Sequence, residues 1–308
     1  MSVKPAYATN LGRMYHGKCE EILNQQPIRR RRGAFQLLFT SPPFPLNRKK
    51  RYGNKQGEEY LDWLTSLAPL FRDQVVDDGS IVIEIGNAWE PGSPTTSTLP
   101  MKALLAFQEA AGLHLCQEFI CYNPAKLPTP AEWVTVRRIR VKDAFTRVWW
   151  MSPSEYPKAD NRRVLTEYSS SMKQLLNRGT YNSGDRPSEH RIGEKSFLSN
   201  NGGAIPPNVI VPKPEEDDPL NLLPIANTAS SDPYLKYCRE QGIRPHPARM
   251  PPRLLPQTKK HFKAHMQLHS AYQLHLAPVQ RNPLQVGIKY DIVRNDDGTL
   301  AFCQMQKD

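Results

Sequence analysis

The five-residue segment TSPPF, which ends at Phe44, brings together a hydroxyl group, two prolines and an aromatic ring. Proline has no backbone N–H and a fixed φ angle, so Pro42 and Pro43 hold backbone carbonyl oxygens in place as rigid hydrogen-bond acceptors. A row of acceptors beside an aromatic face suits a flat ligand that donates hydrogen bonds from an amino substituent. A nucleobase is such a ligand, and we take Ser41, Pro42, Pro43 and Phe44 as the first candidate site.

The charge of the chain favours a polyanionic partner. With 41 basic and 30 acidic side chains the formal net charge is +11, and a basic surface gains affinity for nucleic acid by releasing counterions from phosphates. Nucleic acid is the leading candidate, and an anionic membrane surface is the alternative. A basic run directly follows the candidate site, which favours phosphate contact by its members Arg48, Lys49, Lys50 and Arg51.

A second basic segment, RRIRVKD (137–143), alternates its cations with Ile139 and Val141. Alternation of this kind predicts a strand with one basic edge. The cations of that edge are Arg137, Arg138 and Arg140, and the pattern is equally compatible with DNA contact and with plain solubility.

Other features limit the class of protein. No apolar run approaches the roughly 18 residues of a membrane span, and the N-terminus lacks the apolar region of a signal peptide, so we expect a soluble, cytoplasmic protein. Five cysteines without C-x-x-C spacing are typical of reduced thiols. His261, His265 and His269 recur at four-residue steps, which is more typical of a solvated helix face than of a metal site, and we expect no metal.

The first half of the chain alternates strand-like and helix-like segments. The apolar runs FQLLFT (35–40) and IVIEIG (81–86) predict buried strands, and the spacing of apolar residues in 58–75 predicts a helix between them, with a kink at Pro69. DDGS (77–80) is expected to be a turn. Further predicted elements are a helix over 99–112 and strands over 115–122 and 145–151. This order predicts an α/β layer with a largely parallel sheet, and TSPPF lies at the carboxyl edge of its first strand, where such sheets bind ligands.

TSPPF resembles the catalytic motif of amino-group DNA methyltransferases, in which Ser, Asp or Asn precedes Pro-Pro and an aromatic residue. The form with Ser41 and Phe44 is most similar to the N4-cytosine enzymes of restriction-modification systems, whereas adenine-N6 enzymes more often carry Asp-Pro-Pro-Tyr. The resemblance covers about residues 13–254. It rests on further segments in chain order: MYHGKCEEIL, GSIVIEIGNAWEPG, YNPAKLPTPAEWVTVRRIRVKDAFTRVWWMS, YPKADNRRVL, GGAIPPNVI and SSDPYLKYCREQGIRPHPARMP.

The resemblance implies a Rossmann-like S-adenosylmethionine-dependent methyltransferase fold with a loop-rich target-recognition region. It divides the chain into a catalytic half (1–155), a target-recognition region (156–229), the start of a cofactor-binding element (230–254) and a divergent tail (255–308). In HPARMP it implies cofactor contacts by His246, Pro247 and Pro251. The Phe-x-Gly-x-Gly motif that should follow is absent from the sequence, so we expect the fold to be incomplete. The pattern around NDDG in the tail predicts a β-hairpin.

The implied activity is methyl transfer from S-adenosylmethionine to the N4 amino group of a cytosine that has been flipped out of double-stranded DNA. Two alternatives stay open. One is a catalytically impaired DNA-binding remnant, or half of a split enzyme that a complementing chain completes, and the other is an adenine-N6 methyltransferase. A cognate restriction endonuclease system is a further expected partner.

Overall fold

The computed structural model describes residues 4–9, 12–26, 28–45, 54–124, 126–185, 187–210, 239–240 and 242, and the backbone of strands 273–278, 289–294 and 300–305. The chain forms two compact units. The first comprises Met1–Ala159 and Asn208–Asp308, and the second is Asp160–Pro207.

A six-stranded sheet is the centre of the first unit. Its strands are β3 (Phe35–Ser41), β4 (Val75–Gly86), β5 (His114–Tyr122), β6 (Phe145–Ser152), β9 (Val209–Ile210) and β10 (Gln273–Pro278), in the order β10-β3-β4-β6-β5-β9. The strands β3, β4, β5 and β9 point in one direction, whereas β6 and β10 are antiparallel to their neighbours. The prediction of an α/β fold with a mostly parallel sheet is confirmed.

One face of the sheet packs against two amphipathic helices, α2 (Gly57–Arg72) and α3 (Leu99–Ala110). Because side chains alternate along a strand, Ile81, Ile83 and Ile85 of β4 all point to this face and are fully buried. Each such side chain contributes about 1.5–3 kcal/mol by its removal from water. Phe71 and Phe107 join the two helices in an edge-to-face contact with ring centroids 5.8 Å apart.

The opposite face of the sheet has its own apolar cluster of buried residues: Leu37, Phe39, Val82, Val148 and Trp150. These residues occupy alternate positions of β3, β4 and β6. Following the same alternation, Ser41 and Glu84 lie on this second face at the carboxyl ends of their strands.

Three sequence-based predictions about local structure are wrong. The predicted turn at 77–80 and the last predicted helical residue, Val75, are both part of the continuous strand β4. The ladder shifts there, with Phe35 opposite Val75 but Leu37 opposite Ser80, so the exposed acidic residues leave the ladder as a bulge. The predicted strand over 137–143 is not formed, because the backbone closes a turn after one turn of π-helix at Glu132–Val136.

The remaining elements of the first unit are small. They are the hairpin β1 (Tyr7–Thr9) and β2 (Gly12–Met14), the helix α1 (Cys19–Ile22), a 3-10 turn at Arg29–Arg31, and the antiparallel pair β11 (Lys289–Arg294) and β12 (Leu300–Met305), which flank NDDG. Within the described part of the chain, no helix combines the length and apolarity needed to cross a bilayer.

The second unit is rich in loops. It contains a 3-10 turn (Asn161–Arg163), the helix α4 (Ser170–Arg178) and the two-residue strands β7 (Gly184–Asp185) and β8 (Arg191–Ile192). The Ser169 hydroxyl caps α4 by accepting from the Met172 amide at 3.2 Å. No large apolar side chain among the described residues of this unit is buried.

Candidate active site

The candidate site lies where β3 and β4 end side by side. In the parallel register Phe39 is opposite Val82 and Thr40 is opposite Ile83, so the next residues along the two strands, Ser41 and Glu84, are neighbours. Pro42 and Pro43 follow Ser41 and are buried. The segment Ser41–Phe44, here called the corner, therefore lies at the carboxyl edge of the sheet.

The Phe44 ring packs directly on the backbone of Gly86, the last residue of β4. A Cβ atom added at Gly86 would lie only 2.5 Å from Cδ2 and 2.6 Å from Cε2 of that ring. Phe44 itself is half-buried, so part of its surface stays accessible. Gly86 thus supports an aromatic side chain that presents an open edge of the site.

A buried acid, Glu84, lies beside the corner. Only 3% of this residue is exposed, and its Oε1 accepts a hydrogen bond from Thr146 Oγ1 at 3.0 Å. The second oxygen, Oε2, is buried and has no hydrogen bond of good geometry to any described residue. Because a buried acceptor without a donor is unfavourable, this carboxyl group can gain from one further hydrogen bond.

Burial sets the protonation behaviour around Glu84. Burial raises the pKa of Glu84 because it disfavours the carboxylate, and the hydroxyls of Thr146 and Ser41 partly offset this by donating towards the carboxyl group. Burial also raises the pKa of the Cys121 thiol, and the charge of Glu84 raises it further. Cys121 is therefore a neutral thiol in this environment and a poor nucleophile.

Sequence reasoning did not identify Glu84 and Gly86 as site residues, although both lie in the IVIEIG segment. An acid within a buried apolar strand is rare unless it is paired or functional, so the E of IVIEIG was a usable signal. No comparable signal exists for Gly86, because its contact is with Phe44, which follows a different strand and is distant in sequence.

The predicted cations Arg137, Arg138 and Arg140 lie in the connection between β5 and β6, here called the β5–β6 loop (residues 123–144). Arg137 Nε donates to Glu132 Oε1 at 2.8 Å, and its guanidinium lies over the Trp133 ring with its Cζ 5.0 Å from the ring centroid. Arg140 Nη2 lies 3.6 Å from Asp143 Oδ2 and donates to Thr96 Oγ1 at 3.3 Å.

These three arginines are not equivalent. Arg137 and Arg140 hold the loop together through the contacts above. Arg138 is exposed and makes no ion pair with any described residue, so it is the member of the set whose charge is open to a ligand.

Several predicted site residues lie outside the described residues. They are the basic run Arg48, Lys49, Lys50 and Arg51 and the expected cofactor contacts His246, Pro247 and Pro251. The spaced histidines His261, His265 and His269, for which we expect no metal, also lie outside them. Within the described residues, no group of three His, Cys, Asp or Glu side chains could hold a metal ion.

The chemistry of the corner fits one end of S-adenosylmethionine. Carbonyl oxygens at the two prolines and the buried carboxyl group of Glu84 are acceptors, and such a set suits a cationic sulfonium group next to an amino group that donates hydrogen bonds. The described residues on the other side of β3 do not provide sites for the rest of the cofactor. There β10 runs antiparallel, with Gln273 opposite Ser41, and these residues include no glycine-rich turn for the adenosine and amino-acid parts of the cofactor.

The fold and the corner together are those of a DNA methylase. The N6/N4 methyltransferase family, described as DNA methylase, matches residues 35–258, and the chain belongs to this family.

Two relatives are similar over most of the chain. Type II methyltransferase M.PvuII of Proteus hauseri is 43% identical over 253 residues, which are 82% of this chain and 70% of that protein. The solved structure of PvuII DNA methyltransferase (cytosine-N4-specific) superposes with a TM-score of 0.59 at 34% identity, over 84% of this chain and 73% of that one.

Proposed function

We propose that this protein is a DNA methyltransferase that transfers a methyl group from S-adenosylmethionine to the N4 amino group of cytosine. The observation that carries the proposal is the corner itself, in which Ser41 lies beside the buried Glu84, Pro42 and Pro43 follow it, and the half-buried Phe44 ring lies against Gly86. The similarity to a cytosine-N4-specific enzyme supports the same base and the same atom, and the Ser-Pro-Pro-Phe form of the motif favours it over adenine N6.

The aromatic face serves the extruded base. A cytosine cannot be reached while it is stacked in the duplex, so it must be flipped out, at a cost of a few kcal/mol. Stacking on Phe44 offsets part of that cost, since a base–aromatic contact contributes about 1–3 kcal/mol.

The polar side of the corner acts on the amino group. The lone pair of the cytosine N4 nitrogen is delocalised into the ring, which makes it a weak nucleophile. Donation from N4 to the Ser41 hydroxyl oxygen and to the Pro42 carbonyl favours a pyramidal nitrogen with a localised lone pair. The Ser41 hydroxyl donates towards the Glu84 carboxyl group, which leaves the hydroxyl oxygen to face the base as an acceptor.

The bound cofactor supplies an electrophilic methyl group, and the chain supplies no covalent nucleophile. The neutral Cys121 thiol is consistent with direct transfer. The N4 proton leaves after methylation, and the ionised form of Glu84 accepts it through Ser41, since burial raises the pKa of Glu84 and so makes its carboxylate a stronger base.

A second candidate is a DNA-binding chain that needs a complementing polypeptide for its methyl donor. The antiparallel β10 next to β3 favours this candidate, together with the absence of a Gly-x-Gly motif after residue 254. Isothermal calorimetry with S-adenosylmethionine separates the two, because micromolar binding by the purified chain excludes the need for a complementing polypeptide.

The second unit, together with its flanking residues in 156–229, is our proposed target-recognition region. The described residues of the second unit are rich in loops and bury no large apolar side chain, which supports this role because such a surface leaves polar groups available for base edges. We also propose a cognate restriction endonuclease system as a partner and a cytoplasmic location, and the cysteines without disulfide spacing support that location.

The proposal is tested by transfer of radioactive methyl groups to plasmid DNA. Parent protein should label cytosine N4, as identified by digestion to nucleosides and mass spectrometry, and Ser41→Ala and Phe44→Ala should each reduce the rate at least tenfold. A serine on the surface of α2, Ser66, provides the matched control Ser66→Ala with parental activity. Labelling of adenine, or equal activity of the parent and Ser41→Ala, would overturn the proposal.

A further inference from the structure

The β5–β6 loop is braced at its base. The Asn123 amide donates to the Ala144 carbonyl at 2.6 Å, and Lys142 Nζ donates to the Pro124 and Lys126 carbonyls at 2.8 and 3.3 Å. Above these contacts, the Arg140 bonds fasten the loop to Thr96 in the connection that follows β4. The loop is therefore braced both by contacts within it and by its contact with Thr96.

The far end of the loop is a closed turn. The amides of Ile139 and Arg140 both donate to the Trp133 carbonyl, at 3.0 and 3.2 Å. Between the π-helical turn and this closure, Arg138 has a φ of 56°, a left-handed conformation that is unfavourable for a residue with a side chain. Fixed hydrogen bonds on both sides hold it there, and local strain of this kind is commonly found at ligand-binding sites.

This turn carries apolar side chains that the loop does not bury. Val136, Ile139 and Val141, here called the apolar tip, are 69%, 59% and 86% exposed. A loop that is rigid and yet keeps three β-branched side chains in water gains stability if a partner covers them.

The position and charge of the tip point to DNA. The loop leaves the sheet at Tyr122 and Phe145. One residue further into the sheet, Thr146 of β6 pairs with Cys121 of β5 and with Gly86, the last residue of β4. The loop therefore starts at the same edge of the sheet as the corner. The loop has five basic residues, Lys126, Arg137, Arg138, Arg140 and Lys142, against the two acidic residues Glu132 and Asp143.

We propose that the apolar tip is the wedge that enters the duplex and fills the space left by the extruded cytosine. Apolar side chains presented from a basic surface are known to insert between base steps, and the exposed Arg138 contacts a neighbouring phosphate. This inference rests on the proposed function and adds to it the group that stabilises the opened duplex. Preorganisation of the loop lowers the entropy lost on insertion.

The test compares matched and mispaired DNA. The substrate is a short duplex carrying the sequence that the parent methylates in plasmid DNA, with the target cytosine opposite either guanine or a mispaired base. The variant Val136→Ser/Ile139→Ser/Val141→Ser removes the wedge at exposed positions, so its thermal unfolding should match that of the parent. Leu105→Ser, at a 56% exposed position on α3, is the control for loss of surface apolarity.

We expect the triple variant to lose at least tenfold in kcat/KM on matched DNA and to recover to within about threefold of the parent on mispaired DNA, where the base is already unpaired. With 2-aminopurine at the target position and without cofactor, the parent should raise the fluorescence severalfold and the variant should not. Arg138→Gln should weaken binding to both duplexes equally.

The possible outcomes test the wedge separately from the proposed methyl transfer. Equal reductions of kcat/KM on both duplexes, or a rise in 2-aminopurine fluorescence with the triple variant as large as with the parent, overturn the wedge while methyl transfer by the parent sustains the proposed function. A parent that neither binds nor methylates DNA overturns both. Preferential binding of the tip to anionic lipid vesicles, with no effect of the triple variant on DNA, assigns it to a membrane surface and also overturns the wedge.

Discussion

Replacement of Gly86 by alanine tests whether the backbone of β4 sets the position of the stacking ring. The added methyl group would lie 2.5 and 2.6 Å from two carbons of Phe44, whereas ordinary contacts are 3.4–4 Å. The ring must therefore retreat by about 1 Å, a displacement large enough to reduce the rate of a positioned reaction by about 10²-fold. Gly86 is not among the glycines with positive φ, so alanine fits the backbone and the effect should be confined to the ring.

The size of the effect follows from the energy of base stacking. If displacement of the ring removes the base–aromatic interaction of about 1–3 kcal/mol, then kcat/KM should fall by about 5- to 150-fold, at 1.36 kcal/mol for each factor of ten. Rates of methyl transfer to a duplex with one target site measure this fall, and circular dichroism melting reports whether the fold is intact.

A double-mutant cycle decides the cause. In a Phe44→Ala background the added methyl group meets no ring, so Gly86→Ala should have almost no further effect on kcat/KM. Fully additive effects of the two substitutions would refute the reasoning, as would a Gly86→Ala enzyme with parental activity.

Two further predictions concern charge. Because burial raises the pKa of Glu84 in the folded protein, the stability that its neutral form provides is complete below the unfolded pKa and is lost as pH rises through the folded pKa. Glu84→Gln should therefore be more stable than the parent at pH 8 by about 1–3 kcal/mol, although its methyl transfer is slower. Urea unfolding should show that this difference in the free energy of unfolding becomes smaller towards pH 4. A difference that does not depend on pH contradicts the prediction. Replacing all four basic residues of 48–51 by glutamine should reduce the slope of the logarithm of the DNA-binding constant against the logarithm of the salt concentration by up to about 3.6, at about 0.9 for each phosphate that is no longer neutralised. Fluorescence anisotropy titrations at several salt concentrations measure this slope. An unchanged slope places the run away from DNA.

Local sequence was sufficient for much of the framework. Short apolar runs predicted β3 and the second half of β4, and apolar spacing predicted α2, because both patterns depend on neighbouring residues. The acidic residues at 77–78 were misread as a turn, because a bulge within a long strand has the same local composition. The segment 137–143 was misread as a strand for a related reason. Its alternation is real, but the hydrogen bonds to the Trp133 carbonyl that fold it into a turn depend on the preceding π-helical residues.

The sequence by itself determined the chemical groups of the corner, because the restrictions that two prolines place on a backbone act within the segment that contains them. Only the tertiary structure decided which groups surround it. The parallel register of β3 and β4 places Glu84 beside Ser41, and the end of β4 supports the Phe44 ring on Gly86. Pairing between strands that are some 40 residues apart in the chain has no local signature, which is why the buried acid beside Ser41 emerged only from the folded sheet.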